Sequence, residues 1–230
     1  MLNKLIKKIL AIIGYRLEPI YPKLDSTDHQ RLAHVYNNYK PLRVHLGCGP
    51  RILKGWVNID LSYQLEGASS GIKDGEYRSS ELMGARNDFY ALNIVSTGLP
   101  LPDNCVDAVF HEDFIEHLNQ RDQIILLAEI LRVLKPGCVH RVNTPNLLKT
   151  MQEHSNFKQG GRGVYAAEWN DHLHLNILTA DSLKELAQTV GYSQIIFNGK
   201  DQSISPFMPP EYRPAGDRPP DGNIFADLVK

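Results

Sequence analysis

The chain has 230 residues, with 25 basic and 26 acidic side chains and a formal net charge of −1. That length suits one α/β domain with additions and a full core, while the balanced charge lacks the basic surplus of nucleic-acid binders. Cys48, Cys105 and Cys138 form no CxxC pair and no zinc spacing, so they read as reduced thiols of a cytoplasmic protein.

Residues 1–20 predict an amphipathic helix. Leu2, Leu5, Ile6, Ile9, Ile12 and Ile13 fall on one side of the wheel, opposite Lys4, Lys7 and Lys8. The run is too short to span a bilayer and lacks a signal-peptide core. It therefore suits peripheral contact of residues 1–17 with an anionic inner membrane face, docking on a partner, or packing on the protein's own core. Residues 21–40 read as a linker or lead-in helix. Strands follow at 42–46 and 56–60, then a Gly-, Ser- and charge-rich insertion at 61–88. A strand is expected within 88–94 and another at 106–110. Asn119 is an N-cap for a helix whose stripe is Ile124, Leu127, Ala128 and Leu131. Lys135-Pro136-Gly137 is expected to end that helix, ahead of a strand at 138–143. A second insertion covers 155–170. Thr179 caps a helix with Leu183, Leu186 and Val190 inward, closed by Gly191. Strands at 194–197 and 224–229 flank a Pro-rich connector at 203–220. Residues 41–230 thus read as one domain of alternating strands and helices around a mostly parallel sheet.

The chemistry concentrates in Arg43-Val44-His45-Leu46-Gly47-Cys48-Gly49-Pro50 and Gly55-Trp56-Val57-Asn58-Ile59-Asp60. A strand, a glycine turn and a second strand ending in an acid suit a nucleoside: glycine lets backbone approach a ligand, and the acid can take both ribose hydroxyls. A dinucleotide fingerprint needs a third glycine, a helix, and an acid about 20 residues on. Here Ile52 stands at the third glycine position and Asp60 follows Gly49 by only eleven residues, which argues against NAD or FAD.

The spacing resembles motif I of the class I S-adenosylmethionine (SAM) methyltransferases, in the short form of type-11-like members. Residues 92–118 (LNIVSTGLPLPDNCVDAVFHEDFIEHL), 129–137 (EILRVLKPG) and 172–192 (HLHLNILTADSLKELAQTVGY) extend the resemblance in the right order across roughly residues 42–230. It implies a doubly wound seven-stranded sheet, mostly parallel with an antiparallel last strand, and SAM as cofactor. Carried over, Gly47 and Gly49 offer backbone to the methionine part, with Cys48 a small residue between them. Asp60, beside Leu61, takes the ribose hydroxyls. Asn93 stands where the family often has Asp and accepts from the adenine amino group, Ile94 covers the ring, and the backbone of His111 lies near the SAM amino group. The GWVNID form is similar to members that accompany bacterial surface-polysaccharide synthesis, implying a sugar or lipid-linked sugar hydroxyl as acceptor.

Two departures stand out. The first crossover is shorter than the dozen residues that parallel neighbours normally need, and strand 138–143 carries His140 and Arg141 where a central strand should be apolar. Either one face of that strand is wet or Arg141 pairs with an acid that the sequence does not identify. Candidate catalytic groups are Glu112, Asp113, Glu116, His117, His172 and His174. Among them His117, Glu112 and His172 are preferred as base or positioning groups, because histidine titrates near neutrality. His172 and His174 alternate along an extended segment, so only one should face the site. His111-Glu112 and Glu116-His117 do not form HExxH, and no metal is expected. The alternatives are a catalytically silent SAM-binding partner protein, an RNA or protein methyltransferase, and an NAD-dependent sugar-modifying enzyme.

Overall fold

The computed structural model describes residues 26–62, 84–154, 169, 172–214 and 218–230. The expected helix at 1–20, most of the 61–88 insertion and nearly all of 155–170 lie outside the described residues. Seven strands, β1 (Arg43–Leu46), β2 (Val57–Asp60), β3 (Phe89–Ala91), β4 (Val106–Glu112), β5 (Leu134–Pro145), β6 (Gln194–Phe197) and β7 (Asn223–Val229), form one sheet in the order β3-β2-β1-β4-β5-β7-β6. The first five run parallel, and β7 is antiparallel to both of its neighbours. This is the sheet the resemblance implied.

The α-helices among the described residues are α1 (Ser26–Val35), α2 (Ile94–Thr97), α3 (Gln120–Val133), α4 (Leu147–His154) and α5 (Ala180–Val190). The lead-in segment is thus a packed helix rather than a linker. Leu32 of α1 is fully buried, and Asp28 accepts from the Ala91 N–H of edge strand β3 at 2.8 Å. Asn119 caps α3 by accepting from Asp122 N–H at 3.0 Å. Thr179 caps α5 through Ser182 N–H at 3.1 Å, and Gly191 closes that helix at φ +116°.

One expected boundary moves. Helix α3 ends at Val133 and β5 starts at Leu134, so Lys135-Pro136-Gly137 is a bulge inside the strand. Pairing with β4 jumps from Val106↔Leu134 to Ala108↔Val139. Proline has no N–H to offer a ladder, so an unpaired bulge position suits it. Pairing resumes as Gly137 N–H donates to Lys230 O and Lys230 N–H to Cys138 O.

The period of two along each strand divides the sheet into unlike faces. Val44, Leu46, Val57, Ile59, Tyr90, Val109 and Val142 share the large core with Leu126, Leu127 and Ile130 of α3 and Leu183 and Ala187 of α5. The other face carries His45, Asn58, Phe110, Arg141, Asn143 and Asp227, all buried. Among the described residues it is covered by coil: Leu53 and Trp56 of the β1–β2 connection and Met208 pack on Phe110. Arg141 finds its acid here. Its guanidinium pairs with both oxygens of Glu211 at 2.8 and 2.9 Å and reaches Asp227 at 3.3 Å. It also donates to Asn198 Oδ1. The face is ionic rather than wet.

The short crossover closes without a helix because Asn58 replaces one. Its Oδ1 accepts from Leu53 N–H at 2.8 Å, and its Nδ2 donates to Leu53 O at 2.9 Å and Trp56 O at 3.0 Å. These bonds satisfy buried backbone that a crossover helix would have satisfied internally.

Candidate functional site

The carboxyl ends of β1, β2 and β4 lie side by side, where open α/β sheets bind ligands. Gly47 and Gly49 hold left-handed backbone at φ +58° and +51°, which costs a residue with a Cβ roughly 1–2 kcal/mol. Gly49 N–H donates to Asp60 Oδ2 at 2.8 Å, and Leu61 N–H donates to Asp60 Oδ1 at 2.6 Å. The turn and the acid are thus one hydrogen-bonded unit that fixes the carboxylate. A Cβ on Gly49 would meet no described residue within 4 Å, so among the described residues its backbone is open to a ligand. A Cβ on Gly47 would lie 2.4 Å from Phe114 Cδ2. Burial raises the Asp60 carboxyl above its ordinary range, and the two N–H donors oppose that shift.

The other expected cofactor residues are placed less simply. Cys48 packs its side chain with Ile52 and Phe89, so it offers the turn backbone only. Asn93 caps α2, its side-chain carbonyl accepting from Ser96 N–H at 3.3 Å. Its segment abuts the site through Leu92 N–H, which donates to Asp60 O at 3.0 Å. Ile94 packs into the large core instead of standing open to cover a ring. The backbone of His111 pairs between Leu46 and Val142 at the expected end of β4. Its imidazole is buried in the core, both nitrogens without a hydrogen-bond partner among the described residues, and burial pushes its pKa down to about 3.

Of the preferred catalytic groups, Glu112 is a strut. Its Oε1 accepts from Asn143 Nδ2 at 3.0 Å and from Tyr212 and Arg213 N–H at 2.8 Å each, while Oε2 pairs with Arg51 at 3.0 Å. Burial pushes its pKa up to about 7 against the pull of Arg51, but four donors direct the carboxylate to holding the 211–214 segment on β4.

The histidine choice reverses. His174, 2% exposed, is the member of the alternating pair that turns inward. His172 is exposed and stacks on His174 with centroids 5.5 Å apart. Leu173 between them holds φ +61°, a strained backbone for leucine. His117 meets His174 edge to face at 4.8 Å, and burial followed by His174 lowers its pKa to about 4. Glu116, fully buried, accepts from the Thr144 hydroxyl at 2.9 Å. Burial and then Asp113 raise its carboxyl. Glu116, His117 and His174 come together, with His172 stacked on the outer side of His174, whereas Glu112 is engaged by Arg51, Asn143 and the 212–213 backbone. Sequence reasoning missed Phe114 against Gly47, Arg51 beneath Glu112, and Glu211 beside Arg141; none carries a local signal.

Residues 45–141 match the methyltransferase domain family. A probable SAM-dependent methyltransferase of Mycolicibacterium smegmatis is 37% identical over 94 residues, 41% of this chain. The match covers 31% of that protein, so the chain spans about a third of the length of its relative. Among solved structures, a SAM-dependent methyltransferase from Archaeoglobus fulgidus superposes with a TM-score of 0.51 at 13% identity, over 89% of this chain and 94% of that one. One from Thermotoga maritima gives 0.48 at 13% identity, over 89% and 92%. The sheet order and the glycine turn bonded to Asp60 fit the methyltransferase domain that residues 45–141 match.

Proposed function

We propose that the chain binds SAM at the Gly47–Gly49 turn and transfers its methyl group to an oxygen acceptor, a sugar or lipid-linked sugar hydroxyl. The observation that carries the cofactor half is the bonding of Asp60. Each of its oxygens takes one backbone N–H, which leaves further lone pairs for the two ribose hydroxyls. Gly49 beside it presents backbone that no described residue covers. The acceptor half rests on the form of motif I, whose relatives accompany surface-polysaccharide synthesis, and on fold alone it would be unassigned. Residues 1–17, basic on one side and apolar on the other, suit peripheral contact at the inner membrane face, where a lipid-linked acceptor would be met. No helix among the described residues is long and apolar enough to cross a membrane.

Calorimetric titration with SAM, with NAD as control, tests the cofactor. Saturable SAM binding and no NAD binding are expected. Charge-assisted hydrogen bonds contribute about 1.5–3 kcal/mol each, so Asp60→Ala should weaken SAM binding at least roughly tenfold. Unchanged affinity in that variant would remove the assignment. Flotation with anionic liposomes should depend on residues 1–17, and equal flotation without them would end the membrane reading.

A further inference from the structure

Beside the cofactor turn the fold gathers a second set of potential ligand atoms. Glu116, His117 and His174 each place a carboxylate oxygen or a ring nitrogen within 4.8 Å of the others. Glu116 Oε1 is buried and has no hydrogen-bond partner among the described residues, although Oε2 is held by Thr144. An oxygen desolvated without a donor is costly and asks for a partner. His174 Nε2 stands 3.9 Å from it, too far for a hydrogen bond. The nearby acid, Asp113, is paired with Arg213 at 3.2 Å and Arg218 at 3.1 Å.

We propose that Glu116, His117 and His174 bind a divalent first-row transition-metal ion with a position open to the acceptor hydroxyl. Two imidazoles and one carboxylate form a donor set suited to zinc, manganese, iron(II) or cobalt(II) rather than to magnesium or calcium. Bonds of about 2.0–2.2 Å place such ligand atoms roughly 3.4 Å apart, so the cluster needs to contract by about an ångström. The supporting groups are present: Thr144 orients the carboxylate, and the His172 ring stacks against His174, as outer partners orient metal ligands elsewhere. Phe114, two residues before Glu116, packs on Gly47, which brings the cluster beside the cofactor turn.

The ion's catalytic role rests on the methyl-transfer reading above; its binding does not. A coordinated hydroxyl is more acidic. Its oxygen lone pair forms a bond to the methyl carbon as the carbon–sulfur bond breaks, and that bond's electrons return to sulfur. The hydroxyl proton passes to solvent water. The products are a methyl ether, neutral S-adenosylhomocysteine and one proton.

The test is cobalt(II) titration of the full chain after dialysis against a chelator, without SAM, read by visible ligand-field absorption and equilibrium dialysis. One cobalt per chain is expected, displaced by zinc. His117→Ala, His174→Ala and Glu116→Gln should each weaken binding at least tenfold, with thermal melts confirming the fold. His117→Ala guards against loss of folding, because His174 and Glu116 are the buried pair. No cobalt on the folded wild-type chain, or equal cobalt on His117→Ala and His174→Ala, would overturn the site. SAM titrations of the same samples separate the two readings. Cobalt without SAM leaves the metal site standing and removes its role in transfer; SAM without cobalt removes the site alone.

Discussion

Gly47 and Gly49 hold nearly the same left-handed backbone, yet a Cβ would meet opposite surroundings at the two positions. At Gly47 it would run into Phe114, and at Gly49 it would meet none of the described residues. Both alanine variants carry a backbone strain of roughly 1–2 kcal/mol, but only Gly47→Ala must also displace a packed ring, which adds about 1–3 kcal/mol. Urea denaturation should therefore find Gly47→Ala the less stable, by at least about 1 kcal/mol. SAM titration should find Gly49→Ala folded but impaired in binding. The reverse order would show that Phe114 does not pack on the turn in solution. These glycines and Asp60 were legible because they are a local signature, eleven residues from Gly49 to the acid. The choice between His172 and His174 was not. Two residues apart in an extended segment, they would share one face, and their unlike burial accompanies the left-handed backbone at Leu173, which no local signal announces.

At the scale of elements, the coil-covered face of the sheet is held by charge. Arg141 of β5 lies between Glu211 and Asp227, all three buried. Removing one partner of a buried pair costs about 3–5 kcal/mol, whereas replacing the pair by packed apolar groups is often neutral. Arg141→Met leaves Glu211 without its cation, while Asp227 keeps donors from Asn198, Ser203 and Ile204. The single variant should lose about 3 kcal/mol or more in urea denaturation, and Arg141→Met with Glu211→Leu should recover part of that loss. A double variant less stable than the single would mean that Glu211 holds the connector independently of Arg141. A charged residue in a central strand announces that a partner exists, but Glu211 is seventy positions away in a Pro-rich stretch with no periodicity. Helix α3 was legible from Asn119 and its helical spacing, but not its buried face: of the expected stripe only Leu127 is buried, Ile124 and Ala128 are exposed, and Leu126, Ile130 and Val133 point inward instead. Its end was misplaced because Pro-Gly marks a strand bulge as readily as a helix stop.

Across the whole molecule, both faces of the sheet bury neutral histidine. His45 on the coil-covered face and His111 on the helical face are pushed by burial down to about 3, and His140, beside His111 at 5.0 Å, is lowered as well. The unfolded chain protonates these rings as pH falls through about 6.5, while the folded chain resists until about 3. Each therefore contributes stability that is complete above about 6.5 and is lost as pH falls through that window. The raised carboxyls act oppositely. Glu112 keeps its proton up to about 7 when folded, so its effect is to lower stability as pH rises from about 4.5 to 7; Glu116 and Asp60 shift in the same direction. Between about 4.5 and 6.5 the two sets oppose, and below about 4.5 the histidines act with little opposition. Urea midpoints should change little from pH 7 to 5 and fall steeply from 4.5 towards 3.5. His111→Leu removes one of these titrations together with two buried nitrogens that have no hydrogen-bond partner among the described residues. Its midpoint at pH 7 should equal or exceed that of the wild type, and its fall in acid should be shallower. An equally steep fall, with a lower midpoint at pH 7, would mean that the paired imidazoles of His111 and His140 are satisfied by a buried water whose loss destabilises the fold.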